Sequence, residues 1–197
     1  MMPHKSTAVH IAAALGTLRP NNYTSRLLHF TLEELRGHSG VTIDVVDPAK
    51  LDLALPGQPG AAALQAELVT RINNATAVIL ATPEYHGSYS SVLKVLIDNM
   101  GYPSALAGKP VALIGVASGV IGAVKSLEHL RSVCSHVGAI VLPYPVSVAG
   151  VEQLFSPEGQ GRLPLVEEQL RNVAIQLLAY LRGRHGLVPF EKEVVPD

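Results

Sequence analysis

The chain has one cysteine, no tryptophan and almost no net charge, and each shortage removes a class of explanation. A lone Cys134 cannot form an internal disulfide. With Lys plus Arg at 15 against Asp plus Glu at 16, there is no general basic field for nucleic acid and no acidic tail. A small-molecule partner is expected, and no nucleic acid. Apolar runs reach about 9 residues, against the roughly 18 that a membrane span needs. The N-terminal MMPHKSTAVHIAAAL meets Arg19 and Pro20 too soon for a signal peptide. No membrane partner and a cytoplasmic location are expected. The eight histidines show no close H-x-x-x-H pair and no cysteine cluster beside them, so no metal site is expected.

What is present is a chain of 197 residues that is about half apolar, enough for one domain that buries roughly 70% of its unfolded surface. Short runs rich in Val, Ile and Ala recur at 8–15, 41–46, 77–82, 111–118 and 139–148. Several lack in/out alternation, as strands covered on both faces do. Between them, Leu27, Leu28, Leu32 and Leu35 fall at helical spacing, as do Leu64, Leu68 and Ile72, then Leu93, Leu96, Ile97 and Met100, then Leu127 and Leu130. Leu163 through Leu181 is the longest helix candidate. Five alternations of strand and helix predict an α/β fold, a parallel sheet wrapped on both faces by right-handed crossovers. The segment 48–60, with its prolines and glycines, reads as a surface loop. Residues 1–183 are expected to form one domain and 184–197 a C-terminal tail ordered only in part.

In such a sheet ligands bind beyond the carboxyl ends of the strands. Three strand exits therefore matter. At the first, GTLRPNNYTSR, short hydroxyl and amide side chains surround Arg19 just before a helix, a combination that suits a phosphate; a plain helix cap by Asn22 or Thr24 is the competing account. Neither G-x-G-x-x-G nor G-x-x-x-x-G-K-[ST] is there, so a mononucleotide phosphate remains. At the second exit, TPEYHGSYS, Pro83 is expected to turn the chain out of the strand and Gly87 to relax it, so that the amides of residues 84–87 face a planar ligand with Tyr85 beside it. An ordinary turn and a helix capped by Ser88 or Ser90 is the alternative. At the third, SGVIG, small residues let a ligand or a neighbouring element approach the backbone. Cys134 sits in a helical apolar pattern and reads as a buried small hydrophobe.

GTLRPNNYTSRLL resembles the G-S-x-R-x-x-S-x-N/T phosphate loop of the NAD(P)H-dependent FMN reductases, and TPEYHGSYSSVLKVLIDNM resembles their P-E-Y-N-G-S segment with its following helix. The segment from Ser118 to Pro143 is similar to their third loop, helix and last strand, and the likeness runs over about residues 8–182. It implies a flavodoxin-like, doubly wound five-stranded parallel sheet in the order 2-1-3-4-5. It implies that Thr17, Arg19, Asn22, Thr24 and the Tyr23 backbone hold the FMN phosphate. Pro83, Glu84, Tyr85 and His86 would border the isoalloxazine, and Ser118, Gly119 and Gly122 would approach its pyrimidine side. NADPH or NADH would reduce the flavin, which would pass electrons to a flavin, quinone, azo or metal-oxyanion acceptor in a ping-pong cycle that needs no protein acid or base. A homodimer or homotetramer is implied too. Thr17 and Asn22 stand where serines are usual and His86 where asparagine is usual. The readings from other classes are a flavodoxin-type electron carrier, which the near-zero net charge and missing tryptophan disfavour, and a flavin-binding redox sensor.

Overall fold

The computed structural model describes residues 8–157 and 162–185. Every expected helix forms, and every expected strand region holds strand, two of them with other extents than expected. The strands are β1 (Val9–Leu15), β2 (Val41–Val46), β3 (Ala77–Tyr85), β4 (Ser88–Tyr89), β5 (Pro110–Val116), β6 (Ile140–Val141) and β7 (Val146–Val148). The helices are α1 (Tyr23–Arg36), α2 (Ala61–Asn74), α3 (Ser91–Asp98), α4 (Val124–His136), α5 (Val151–Leu154) and α6 (Leu163–His185). The backbone of the sheet runs β2-β1-β3-β5-β6, with β4 folded back on β3 and β7 also paired to β5. With the β4 hairpin set aside and β6 and β7 sharing one place, this is the expected doubly wound order. The expected tail boundary at 183 falls inside α6, and residues from 186 on lie outside the described ones.

Two expectations are corrected. The run 139–148 is not one strand: β6 pairs Val141 with Val111, β7 pairs Val146 with Ile114, and the chain leaves the ladder between them. Pro143 and Pro145 have no N–H to give a ladder, and Tyr144 between them has φ 61. Arg131 of α4 donates to the Leu142 carbonyl at the break, 3.1 Å away. The run 77–82 is longer than expected, because β3 continues through Pro83, which pairs with Val116, to Tyr85. Ala81 turns its carbonyl to the β1 side, where Gly16 N–H donates to it at 2.7 Å. Pro83, two residues on, faces the same side, and the Gly16 carbonyl that its missing N–H would have served accepts from the Ser90 hydroxyl instead.

The two faces of the sheet carry separate cores. Val9, Ile11, Ala13 and Leu15 of β1 pack with Leu27, Leu35, Leu170 and Leu177 of α1 and α6. Ala12 and Ala14 face the other way, onto Leu64, Leu68, Leu93 and Leu96 of α2 and α3, with Leu127 and Leu130 of α4 on the same side. Alternation with small residues explains why HIAAAL reads as a continuous apolar run: both faces of the central strand are covered. Burying each of these leucines contributes about 1.5 to 3 kcal/mol. Cys134 is fully buried in the second core, and desolvation pushes its thiol up to about 12, so it packs as a small apolar residue and is not a nucleophile. No helix among the described residues is long and apolar enough to cross a membrane. Packed this way, the carboxyl ends of β1, β3 and β5 emerge together at one end of the sheet.

Candidate functional site

At that end lies a cleft of about 250 Å³ lined by residues of all three predicted strand exits. Thr17, Arg19, Asn22, Tyr23 and Thr24 line it from the first, Pro83, Glu84 and Tyr85 from the second, and Ser118 from the third. His86, Gly119 and Gly122 do not line it.

The first exit is a loop organised by its own side chains. Asn22 caps α1: its oxygen accepts from the Ser25 amide at 2.7 Å, and its side-chain amide donates to the Arg19 carbonyl, also at 2.7 Å. The capping account of this residue is thus realised, and one amide proton of Asn22 remains for a ligand. The cap leaves the Tyr23 and Thr24 amides, at the positive end of the helix, with no hydrogen-bond partner among the described residues. Thr17 accepts from the Arg19 amide at 3.2 Å, and the Thr17 and Thr24 side chains are buried against the cleft floor. The Tyr23 ring points away, stacked on Phe155 at 5.4 Å with Arg26 3.8 Å over Phe155. Arg19 is exposed and reaches across the cleft to lie 5.1 Å over the Tyr85 ring.

The second exit is a β-hairpin, which sequence reasoning took for a relaxed turn. Glu84 pairs with Tyr89 and Tyr85 with Ser88, leaving His86 and Gly87 as a two-residue connection with φ 50 and 77. Two successive left-handed residues match the right-handed twist of the strands they join, a geometry that favours Asn-Gly. The asparagine usual at this position therefore has a backbone reason, and His86 is a less common residue in the same strained posture. The Glu84 carboxylate accepts from the Gly87 amide at 3.0 Å. That corrects the expectation that all amides from 84 to 87 face a ligand: Gly87 spends its own on closing the turn.

At the third exit the loop is strapped to the chain that follows β7. Ser118 donates to Glu152 at 3.1 Å, the Gly119 carbonyl accepts from Gly150 at 3.1 Å, and Val151 N–H donates to Ala117 at 3.1 Å. A Cβ on Gly122 would lie 2.6 Å from the Ser147 hydroxyl, which itself accepts from the Ala123 amide. Its small size thus serves packing against β7, the alternative left open for this loop. Sequence reasoning missed Pro20, Asn21, Val116, Val151 and Glu152, which also line the cleft. The rule that selected three strand exits would have found the last two at a fourth, the exit of β7 after Val148.

Hydroxyls and unpaired helix-terminal amides at one end, the Pro83–Tyr85 edge and Ser118 at the other, and the Arg19 guanidinium reaching from the first toward the second, fit a phosphate joined to a planar conjugated ring. The residues present fit FMN in this sense.

Comparison with known proteins agrees. The chain is 31% identical over 142 residues to a 2-hydroxy-1,4-benzoquinone reductase of Burkholderia sp, covering 70% of this chain and 76% of that protein. It is 29% identical over 166 residues to an FMN-dependent NADPH-azoreductase of Staphylococcus aureus, covering 80% and 86%. Among solved structures, an apo NADH:FMN oxidoreductase superposes with a TM-score of 0.68 at 23% identity, over 86% of this chain and 90% of that one. The NAD(P)H:(acceptor) oxidoreductase of Paracoccus denitrificans does so at 0.66 and 22%, over 87% and 98%. At these identities the structures speak for the fold. The profile of the NADPH-dependent FMN reductases matches residues 9–153, and the protein belongs to that family of FMN-dependent oxidoreductases.

Proposed function

We propose that the protein is a ping-pong reductase in which NAD(P)H and a small planar acceptor of the quinone or azo class use one open site in turn. The observation that carries this reading is the convergence of the three exits on one cleft, with a phosphate-type donor set at one end and a ring-sized edge at the other. FMN, when bound, supplies two-electron chemistry, accepting hydride equivalents from a nicotinamide and delivering them to an acceptor.

The chain's own residues bind and orient. In this proposal Thr17, Thr24, the second amide proton of Asn22 and the Tyr23 and Thr24 amides receive the phosphate, and Arg19 neutralises it. Pro83, Glu84 and Tyr85 border the ring, with His86 at the hairpin tip outside the cleft. Ser118 faces the ring from the third loop, with Gly119 and Gly122 shaping that loop from behind. No side chain is assigned as a proton donor. The quinone reductase and azoreductase among the relatives support a planar organic acceptor.

The test is the absorbance spectrum of the purified protein, followed by turnover of NADPH or NADH with a quinone. Flavin bands that bleach on adding the nicotinamide and return on adding the quinone are expected. A flavin that stays oxidised under NAD(P)H, or turnover no faster than that of free FMN, would leave the electron-carrier or sensor reading instead. Light scattering on the same sample reads the proposed homodimer or homotetramer.

A further inference from the structure

Behind the cleft, where neither end of a ligand would touch it, one buried hydroxyl joins the two exits. Ser90 is 0% exposed. Its hydroxyl donates to the Gly16 carbonyl at 2.5 Å and accepts from the Leu93 amide at 3.1 Å, so it caps α3 and holds the root of the first loop at once. Its own amide donates to the Thr82 hydroxyl at 3.0 Å, and that hydroxyl donates to the Pro83 carbonyl at 2.9 Å. Thr82 is likewise 0% exposed. Gly16 precedes Thr17 of the phosphate end, and Pro83 borders the ring end. A continuous chain of hydrogen bonds, buried except for its part-buried last link to Pro83, therefore runs from one loop to the other through two side chains.

The space around it is closed. A Cβ on Gly16 would meet the Ala81 carbonyl at 2.9 Å and the Ser90 hydroxyl at 3.1 Å, so the first loop is seated directly on the end of β3 and on Ser90. A helix cap alone needs only the acceptor from Ser90. The donation to Gly16, 74 residues away in sequence, has no part in capping and links two strand exits.

We propose that Ser90, with Thr82, is a positioning residue that fixes the distance between the phosphate-binding and ring-binding loops, so that the site is matched to the whole mononucleotide. This rests on the placement of the two ends of FMN given above. A ligand held at both ends gains from the second contact only when the two half-sites stand at the right separation, as a linked pair of binding groups does. A loosened first loop therefore costs the phosphate contact and leaves ring binding intact.

The experiment measures dissociation constants of FMN and riboflavin for the apoprotein by quenching of flavin fluorescence, in wild type and in Ser90→Ala, Thr82→Val and Thr82→Ser. Riboflavin engages the ring end only. Ser90→Ala and Thr82→Val are each expected to weaken FMN about tenfold more than riboflavin, or about 1.4 kcal/mol of selectivity. Thr82→Ser keeps the hydroxyl and is expected to restore the wild-type ratio. If Ser90→Ala does not fold, the Thr82 pair carries the test alone. Equal weakening of both ligands, with a lower melting temperature, would show a merely structural role and overturn the proposal, as would a Thr82→Ser ratio equal to that of Thr82→Val. A wild type that binds riboflavin as tightly as FMN would instead refute the underlying assignment of the phosphate end.

Discussion

At the scale of single residues, Arg19 is the side chain whose two possible roles separate most cleanly. Its guanidinium lies over Tyr85 at 5.1 Å, at the end proposed for the ring, yet it springs from the loop whose amides face the end proposed for the phosphate. A charge-assisted hydrogen bond to a phosphate is worth about 1.5 to 3 kcal/mol, whereas an exposed cation–π contact is worth about 0.5 to 1. The larger effect decides the expectation. Arg19→Ala should weaken FMN by about tenfold or more and riboflavin by about fivefold at most, read as dissociation constants at fixed ionic strength. Equal losses would assign Arg19 to the ring wall alone. The same scale shows what could be read in the sequence. Thr17, Arg19, Thr24 and Tyr85 were legible because their chemistry is displayed by the side chain. Glu84 lines the cleft as read, but the part of its carboxylate was not legible: it folds back onto the Gly87 amide, and nothing in the spelling PEYHG separates that from a carboxylate facing a ligand.

At the scale of elements, Asn22 shows how a cap and a ligand loop share one residue. Its oxygen holds the Ser25 amide and its nitrogen holds the Arg19 carbonyl, so it terminates α1 and closes the loop in front of it. Asn22→Ala is expected to lower stability by about 1 kcal/mol, seen as a lower urea midpoint with an unchanged slope. Asn22→Asp keeps the cap acceptor and adds charge favourable to the helix terminus, so it should recover most of that loss. An Asp variant as unstable as the Ala variant would mean that the loop closure, and not the cap, carries the energy. Elements were otherwise the most legible level, because apolar periodicity sets them: α1, α2, α3, α4 and α6 all stand where leucine spacing put them. The failures share a cause. The break between β6 and β7, the extension of β3 through Pro83 and the hairpin at His86 all depend on which side of a ladder a given N–H faces. That is settled by pairing with distant strands, and local composition does not carry it.

At the scale of the whole molecule, the sheet must keep its outer strand for the first exit to stay in place, and one ion pair pins that edge. β2 lies at the edge beside β1, and its residues before the buried Val46 are only partly covered or exposed. Arg71 of α2 reaches Asp44 of β2 with two hydrogen bonds of 2.6 and 2.8 Å, and also donates to the Val45 carbonyl at 2.8 Å. The two side chains are 22% and 28% exposed, so the pair is shielded from salt more than a surface pair is. The hydrogen bond from Arg71, more than its charge, holds the Asp44 carboxyl below its ordinary value, against the opposing effect of burial. A carboxyl with a depressed folded pKa contributes stability that is fully present above its unfolded value of about 4 and is lost as pH falls through the folded value. The wild type should therefore lose stability below about pH 4 with a component that Asp44→Asn lacks. At neutral pH the same substitution should cost about 1.5 to 3 kcal/mol, because the neutral amide cannot make the charge-assisted pair. Urea midpoints at pH 7 and across pH 5 to 3, compared between the two proteins, read both effects. Parallel acid curves would remove Asp44 from the acid response and leave the other carboxylates to explain it. Loss at pH 7 confined to amide exchange in β2 and α2, with the β1–β3–β5 centre protected as before, would show that the edge opens on its own and that the cleft outlasts it.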